Sequence, residues 1–236
     1  MVAHINPGDV ISHSHMAIIE GVALQRGMNY RVRGGLSIFL MSLRKGAPYA
    51  EQVQQNGEIL IYEGHDAKKN VVPIPKAADQ PMYSPKGKLT ENGIFFEAAV
   101  KYREGNAPAE LIKVYEKIKD GIWVYNGIFE LVDAWQEKAE NRQVFKFKLH
   151  ITDESVEERK INDVEVADLE HNRMIPSSVK LEVWKRDKGR CVTCGATDNL
   201  HFDHILPFSK GGTSLTAENI QLLCMRHNLQ KTNRIQ

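Results

Sequence analysis

The feature that most constrains the fold is a pair of short metal-binding patterns near the C-terminal end of the chain. Cys191 and Cys194 form a Cys-x2-Cys pattern, and Cys224 and His227 form a Cys-x2-His pattern, with 29 residues between the two pairs. Two such pairs can complete a tetrahedral Zn2+ site. All three cysteines of the chain fall inside this pattern, which favours a metal over a disulfide framework. We therefore expect a small zinc-stabilised unit over residues 179–236, because its core is too small to be stable without such a crosslink.

The length and composition leave room for a larger domain before this unit. The 236 residues include 42% hydrophobic and 26% charged residues, which is typical of a soluble globular protein. No apolar run approaches the roughly 20 residues of a membrane span, and the N-terminus lacks the basic and apolar parts of a secretory signal. We therefore expect a cytoplasmic protein with no membrane partner.

Charge is distributed unevenly along the chain. Residues 1–150 have a net charge of +2, residues 151–179 of −5 and residues 180–236 of +4. We therefore predict a first domain at 1–151, an acidic linker at 152–178 and a second domain at 179–236. A basic terminal block is compatible with a polyanionic partner, although solvated surface charge is the commoner explanation.

The first domain is predicted to be rich in β-strands. Six segments have the apolar and β-forming character of strands, namely Leu36–Leu43, Glu58–Tyr62, Ile94–Tyr102, Ile112–Tyr115, Gly127–Val132 and Val144–Ile151. Four prolines predict a long surface loop over Val71–Lys88. In the second domain, Ser177 or Ser178 is expected to cap a helix over Val179–Lys188. The predicted fold class is thus α+β.

A further pattern lies between the two metal-binding pairs. It consists of Asp203-His204, Gly211-Gly212 and Asn219, followed closely by Cys224. Over about residues 179–236 this string resembles the HNH nuclease family, whose fold is a β-hairpin followed by a helix that together hold one divalent cation. The resemblance implies a zinc-stapled ββα-metal domain that hydrolyses phosphodiester bonds.

The resemblance implies a role for each residue of this pattern. A neutral imidazole has a pKa close to working pH, so His204 is the expected general base. Asn219 is expected to orient that imidazole through a hydrogen bond. Asp203 and Asn228 are the expected ligands of a catalytic Mg2+ or Mn2+. Asn228 stands where the family signature has a histidine.

His227 has two interpretations. The family frame has a zinc-binding cysteine at this position, so we assign His227 to structural Zn2+ together with the three cysteines. The alternative is that His227 binds the catalytic cation and leaves Zn2+ with Cys191, Cys194 and Cys224.

Three strings in the first domain resemble a second family. An apolar strand at 36–42 leads to Tyr49-Ala50-Glu51-Gln52, a second strand ends in Tyr62-Glu63-Gly64, and Tyr125-Asn126-Gly127 matches a Tyr-Asp-Gly signature except for the asparagine. Over about residues 8–150 these strings resemble the SRA domain, also called YDG, which recognises modified cytosine by flipping it out of the duplex. The resemblance implies a PUA-type β-barrel.

The same resemblance implies a pocket for the flipped base. Tyr49 and Tyr62 stand at the positions of two aromatic faces between which the base stacks. The exocyclic amine of cytosine needs an acceptor, and the family has an acid where this chain has Gln52, so either Gln52 or the adjacent Glu51 could read the base. Six basic residues are candidates for contacts with the DNA backbone, with ordinary surface charge as the alternative: Arg31, Arg33, Arg44, Lys45, Lys210 and Lys231.

Together the two resemblances imply a modification-dependent DNA endonuclease of a prokaryotic restriction system. Its partner would be double-stranded DNA that contains 5-methylcytosine or 5-hydroxymethylcytosine, and no small-molecule cofactor is implied. One HNH module cuts one strand, so we expect a homodimer at a palindromic site. The alternatives are a non-catalytic reader of modified DNA, an RNA-binding protein, and a nicking or homing-type nuclease that is indifferent to methylation.

Overall fold

The structure is a computed structural model that describes residues 5–152, 174–206 and 211–231, without the side chain of Asn56. Residues 153–173, which form most of the predicted acidic linker, and the predicted DNA contact Lys210 lie outside the described residues. No helix in the described ranges is long and apolar enough to cross a membrane.

Residues 5–152, here called the sheet unit, form one large and mostly antiparallel sheet. Its strands are β1 (Val10–Ile11), β2 (Met28–Asn29), β3 (Ser37–Met41), β4 (Gln52–Gln54), β5 (Ile59–Glu63), β6 (Glu110–Lys119), β7 (Ile122–Ala139) and β8 (Arg142–Ile151). The strand order is β2-β3-β6-β7-β8-β5-β4, and β1 pairs with the start of β7. Strands β3 and β6 run parallel. The long β7 pairs with β6 through its first half and with β8 through its second half, which joins both hairpins in one sheet.

The prediction of a strand over Ile94–Tyr102 is wrong, because this segment lies inside helix α2 (Glu91–Arg103). The Thr90 hydroxyl accepts a hydrogen bond from the Gly93 N–H group and caps the helix. Phe95 and Ala99, four residues apart, are both buried on one face. The other five predicted strands are confirmed. The segment predicted as a loop over 71–88 contains one regular element, a 3-10 turn at Pro75–Ala77.

The core of the sheet unit lies between α2 and the sheet. Phe39, Phe95 and Phe147 are fully buried, and their rings meet edge to face at centroid distances of 4.8 to 6.4 Å. A shorter helix, α1 (His13–Glu20), begins after Ser12, whose side chain accepts the N–H of His15.

Residues 174–206 and 211–231, here called the hairpin unit, form a helix, a β-hairpin and a second helix. These elements are α3 (Ser177–Arg186), β9 (Leu200–His204), β10 (Ile220–Cys224) and α4 (Met225–Lys231). The expectation that Ser177 or Ser178 caps α3 is wrong, because the helix begins at Ser177 with Pro176 as its N-cap. The Ser177 hydroxyl instead donates to the buried Glu116 of β6.

The two units share a hydrophobic core. Its buried members come from both sides and include Ile118, Val124, Val179, Val183, Phe202 and Leu222. The N-terminal segment adds a backbone connection, because the Gly8 N–H group donates to the Tyr125 carbonyl oxygen (2.8 Å) and the Gly8 carbonyl oxygen accepts from Phe202 (3.0 Å). The α+β class with one large sheet is therefore confirmed.

Candidate functional site

Four side chains of the hairpin unit converge on one point. The ligand atoms of Cys191, Cys194, Cys224 and His227 all lie within 4.8 Å of one another, and no other group of three or more His, Cys, Asp or Glu residues in the described ranges does so. The Sγ atoms of Cys194 and Cys224 are 3.8 Å apart, and Nδ1 of His227 lies 3.3 Å from Sγ of Cys224. Zn–S bonds of about 2.3 Å in a tetrahedron place two sulfur atoms roughly 3.8 Å apart. The group therefore fits Zn2+ in both size and donor type.

The environment of these ligands also suits a metal. Burial alone would raise the pKa of Cys191, but backbone N–H groups at Cys224 and Cys194 lower it to about 6. A thiolate is the form of cysteine that binds metals. Nδ1 of His227 also lies 3.5 Å from Sγ of Cys191. Of the two interpretations of His227, this geometry favours the one in which it joins the three cysteines.

His204, the predicted general base, ends β9. Its Nε2 shares a hydrogen bond of 2.8 Å with Oγ of the buried Ser214. Burial lowers the pKa of His204 below its usual value, and the nearby Lys231 lowers it further, whereas Asp203 raises it. The imidazole is therefore neutral at neutral pH, as a general base must be. Nothing in the sequence singled out Ser214, because a serine in a polar loop carries no signal of its own.

Asn219 does not bond the imidazole of His204 as expected. Its Oδ1 accepts the Leu206 N–H group (2.8 Å), and its Nδ2 donates to the carbonyl oxygens of Leu206 (3.0 Å) and Thr213 (2.9 Å). Its side chain thus joins both ends of the hairpin loop that carries Ser214. Gly212 belongs to the same arrangement, since a Cβ there would collide with the Leu206 carbonyl oxygen. Asn219 is therefore connected to His204 only through the loop that carries Ser214.

Asp203 has a partner that the sequence did not predict. Its Oδ2 accepts from Nζ of Lys231 (2.5 Å) and from Nε2 of Gln221 (3.3 Å). Lys231 was expected to contact the DNA backbone, but its side chain is only 2% exposed and therefore does not face solvent. Oδ1 of Asp203 has no hydrogen-bond partner among the described residues. Asn228 lies half-buried on α4, the helix that follows the hairpin.

A cavity of about 830 Å3 opens beside the sheet, past the end of β3. Its lining includes Tyr49, Glu51 and Tyr62, three of the four predicted base-binding residues, together with Arg44 and Lys45. Pockets for small ligands usually measure roughly 300–1,000 Å3. The sheet unit therefore has a cavity of suitable size at the predicted place.

Glu51 and Gln52 lie on opposite sides of the chain at the start of β4. Glu51 is buried at the cavity, whereas Gln52 is exposed and lines a separate depression beside Trp135. Neighbouring residues of extended chain point in opposite directions, which explains the separation. Burial raises the pKa of Glu51 to about 8, and its Oε2 accepts the Ser42 N–H group (2.8 Å). Of the two candidates, the geometry favours Glu51.

The two predicted tyrosines are joined by a histidine that the sequence argument missed. Tyr62 is fully buried, and its hydroxyl donates to the Leu40 carbonyl oxygen (3.1 Å). The ring of His65 stacks on Tyr49 with centroids 5.0 Å apart, and its Nε2 lies 3.1 Å from Oη of Tyr62. Burial lowers the pKa of His65 to about 4, so the ring is neutral. The tyrosines therefore do not form two open faces, and His65 is part of the cavity wall.

Gly27 also lines the cavity and lies against the Tyr62 and His65 side chains. A Cβ at this position would lie 2.5 Å from Oη of Tyr62 and 2.6 Å from Nε2 of His65. Real Cβ atoms essentially never approach so closely, so any other residue at this position would force the Tyr62 or the His65 ring to shift.

The predicted DNA contacts of the sheet unit fall into two groups. Arg44 and Lys45 line the cavity, and Arg44 pairs with Asp120 (3.1 Å). Arg31 instead pairs with Glu110 (2.9 Å), and Arg33 donates to the Gly21 carbonyl oxygen (3.1 Å). Arg31 and Arg33 are not part of the cavity lining.

The hairpin unit is similar to a known family. Residues 191–234 match the family model of the HNH endonucleases. The match includes the four converging metal ligands, Asp203, His204 and Asn219. No curated protein is significantly similar to the chain in sequence.

Three solved structures are similar to this chain. The SUVH5 SRA domain in complex with hemi-methylated CG DNA is 22% identical, with a TM-score of 0.45 and coverage of 71% of this chain and 97% of that chain. The same domain bound to fully hydroxymethylated CG DNA is 20% identical, with the same TM-score and coverage. ScoMcrA, a type IV phosphorothioation-dependent restriction endonuclease, is 14% identical, with a TM-score of 0.42 and coverage of 98% of this chain and 55% of that chain.

Proposed function

We propose that the protein is a modification-dependent DNA endonuclease that binds double-stranded DNA containing 5-methylcytosine or 5-hydroxymethylcytosine and hydrolyses its phosphodiester bonds. One observation carries the proposal: a single chain combines an HNH endonuclease match at residues 191–234 with a cavity lined by Tyr49 and the buried carboxyl group of Glu51. Such an enzyme would act in the cytoplasm of a prokaryote against modified foreign DNA.

The carboxyl group of Glu51 is complementary to the edge of a flipped cytosine. Because burial raises its pKa to about 8, Glu51 keeps its proton at neutral pH. A protonated carboxyl group offers one O–H donor together with acceptor capacity. The donor suits N3 of cytosine and the acceptor suits the exocyclic amine. The hydrogen bond from Ser42 fixes the orientation of the group.

Tyr49 supplies a face on which the base stacks. Its ring is stacked on His65 and also lies 4.2 Å from Nζ of Lys76. The base displaces the Lys76 ammonium group from the ring. The Lys76 side chain is 51% exposed and can keep its ion pair with Asp66 (3.0 Å) after it moves, whereas His65 is bonded to the buried Tyr62. Stacking of a base on an aromatic ring contributes about 1–3 kcal/mol.

His204 acts as the general base of the hydrolysis. Water attacks phosphorus while its proton passes to the imidazole, which burial keeps neutral. The P–O bond to the leaving oxygen of the DNA strand breaks, and solvent water protonates that oxygen. In the tautomer in which Nε2 donates to Oγ of Ser214, Nδ1 is the unprotonated nitrogen that accepts the proton. Asn219 keeps the loop closed behind Ser214.

Two kinds of metal ion suit the hairpin unit. The converging cysteines and His227 form a closed set of four protein ligands, which is typical of structural Zn2+. Oδ1 of Asp203 and the amide oxygen of Asn228 are hard donors of the kind that Mg2+ and Mn2+ prefer. When bound, such a cation would stabilise negative charge on the phosphate.

Arg44 and Lys45 would contact the DNA backbone beside the flipped base, and their position in the cavity lining supports this role. A homodimer would place one active site on each strand of a palindromic site. Light scattering of the protein with such a duplex tests this assembly, and a mass of one chain per duplex would contradict it.

Cleavage of one plasmid in three forms tests the proposed function. The forms are unmodified, cytosine-methylated and hydroxymethylated DNA, each with Mg2+ or Mn2+, and His204→Ala is the matched control. We expect cutting only of modified DNA and none by His204→Ala. Equal cutting of all forms would support a nuclease that is indifferent to methylation, and binding without cutting would support a reader alone. Competition by RNA in a gel shift tests the RNA-binding alternative.

A further inference from the structure

A buried cluster of four polar residues joins the two units. Glu116 of β6 and Asn126 of β7 belong to the sheet unit, and Ser177 and Lys180 belong to α3. Nζ of Lys180 donates to Oε2 of Glu116 (2.7 Å) and to Oδ1 of Asn126 (2.6 Å). Nδ2 of Asn126 donates to Oε2 of Glu116 (3.1 Å), and Ser177 donates to Oε1. The side chains of Lys180 and Glu116 are each only 1% exposed.

The cluster explains the asparagine in the Tyr125-Asn126-Gly127 string. The Asn126 amide accepts from the Lys180 ammonium group and donates to the Glu116 carboxylate. An aspartate at this position could accept from Lys180 but would place a second carboxylate beside Glu116, with one lysine to neutralise both. The amide is thus the group that satisfies both neighbours.

A cluster of this kind fixes orientation more than it adds stability. A buried ion pair gains little over an apolar contact of the same size, because both charges lose their hydration. Its hydrogen bonds are satisfied only in one arrangement, and any rotation of α3 against the sheet would leave a buried charge without its partner. Outside the cluster, Nδ1 of His201 on β9 lies 3.0 Å from Oδ1 of Asp9 and adds a second polar contact between the units.

The cluster lies between the cavity and the nuclease residues. Nδ2 of Asn126 is 4.0 Å from Sδ of Met41, and Met41 lines the cavity, as does Lys117 next to Glu116. On the other side, α3 packs in the core that holds Phe202, two residues before His204 on β9. The cavity wall and His204 are therefore connected through a series of buried contacts among the described residues.

We propose that Lys180 and Asn126 are positioning residues that hold the nuclease site at one set distance from the base cavity. The enzyme then cuts at a fixed spacing from the modified cytosine, whatever the reach of the acidic segment at 152–178. This inference rests on the proposed function.

A palindromic duplex with one modified cytosine in each strand and labelled ends tests the inference by the position of the cut. We expect the wild-type protein to cut each strand at one position. Glu116→Gln combined with Lys180→Met removes both buried charges together, so the variant should fold as stably as the wild type, but its cuts should spread over several neighbouring bonds. Lys185→Met, at an exposed position of the same helix, is the matched control and should cut like the wild type.

Two results would overturn the inference and leave the proposed function intact. One is scattered cutting of modified DNA by the wild-type protein. The other is an unchanged cut position in the folded double variant. Equal cutting of unmodified DNA would instead reject the proposed function.

In that case, thermal unfolding of the protein without DNA tests whether the sheet unit and the hairpin unit are docked against each other. Docked units should unfold in one cooperative transition in the wild type and in two separate transitions in Lys180→Met. Two separate transitions in the wild type would contradict docking.

Discussion

The ammonium group of Lys231 lies 2.5 Å from Oδ2 of Asp203 and also donates to the carbonyl oxygen of His204. A residue predicted to bind phosphate therefore neutralises the acid predicted to bind a cation. The Lys231 side chain is buried, so water screens the pair little. A divalent cation that uses Oδ2 of Asp203 must compete with this ammonium group.

Lys231→Met should therefore strengthen binding of Mn2+. Hydrogen bonds to charged groups contribute about 1.5–3 kcal/mol, so we expect affinity to rise roughly tenfold or more. Calorimetric titration of Mn2+ measures this without any cleavage assay, with Lys188→Met at an exposed position as the control. Unchanged or weaker binding in Lys231→Met would show that the two cations do not compete.

The protonation of Glu51 should control DNA binding. The pKa of Glu51 is raised to about 8 by burial, so affinity for a modified duplex should fall as pH rises through that value. Glu51→Gln keeps one donor and one acceptor at every pH and should bind without this dependence, whereas Glu51→Ala should bind weakly throughout. Fluorescence anisotropy at constant ionic strength measures the three profiles. A loss of affinity in Gln52→Ala that matches that of Glu51→Ala would contradict the role assigned to Glu51.

The same raised pKa predicts the pH dependence of stability in the free protein. The unfolded chain loses the Glu51 proton near its ordinary pKa of 4.5, whereas the folded chain keeps it to about 8. The free energy of unfolding should therefore fall as pH rises between these values. Denaturant unfolding of wild type and Glu51→Gln should differ in slope over this range, and parallel curves would contradict the shift.

His227 should be required for zinc content rather than for catalysis itself. His227→Cys creates a set of four cysteine ligands. This variant should bind one equivalent of Zn2+, keep the hairpin unit folded and cleave DNA. His227→Ala should lose Zn2+ and unfold the unit, because the core around the hairpin is small. Metal analysis together with thermal unfolding measures both effects. Full zinc content with abolished cleavage in His227→Cys would instead identify His227 as a ligand of the catalytic cation.

Ser214→Ala should reduce the turnover number with little effect on DNA affinity. The lost hydrogen bond orients His204 and is worth about 0.5–1.5 kcal/mol, which corresponds to roughly a twofold to tenfold slower reaction. Single-turnover cleavage and a gel shift separate the two effects. The pH profile should keep its fall on the acid side below the ordinary pKa of histidine, since burial lowers the pKa of His204. A fall in affinity alone would contradict this role.

The sequence predicted the group of metal ligands and most of the strands. The metal ligands converge as expected because sulfur and imidazole donors in two short pairs have few other uses. Five of the six strands were predicted correctly for a similar reason, since an apolar run carries its own signal. The prediction for the segment inside α2 was wrong, because an apolar stretch with phenylalanine fits a strand as well as a buried helix face. The capping residue Thr90, which precedes the helix, is the signal that distinguishes the two.

Residues that act through distant partners were not predictable. His65 meets Tyr49 across 16 positions, and Ser214 meets His204 across 10. Lys180 and Glu116 are 64 positions apart and on different units. No local pattern records such pairs, because they exist only after the sheet and the hairpin have formed. The choice between Glu51 and Gln52 likewise depended on which side of β4 faces the cavity.

The most direct test of the central claim is cleavage of one short duplex that carries a single modified cytosine, compared with the same duplex without the modification. The account predicts that the wild type cuts the modified duplex alone, that Glu51→Ala neither binds nor cuts it, and that His204→Ala binds it tightly without cutting. Glu51→Ala with wild-type selectivity, or cutting by His204→Ala, would contradict the account.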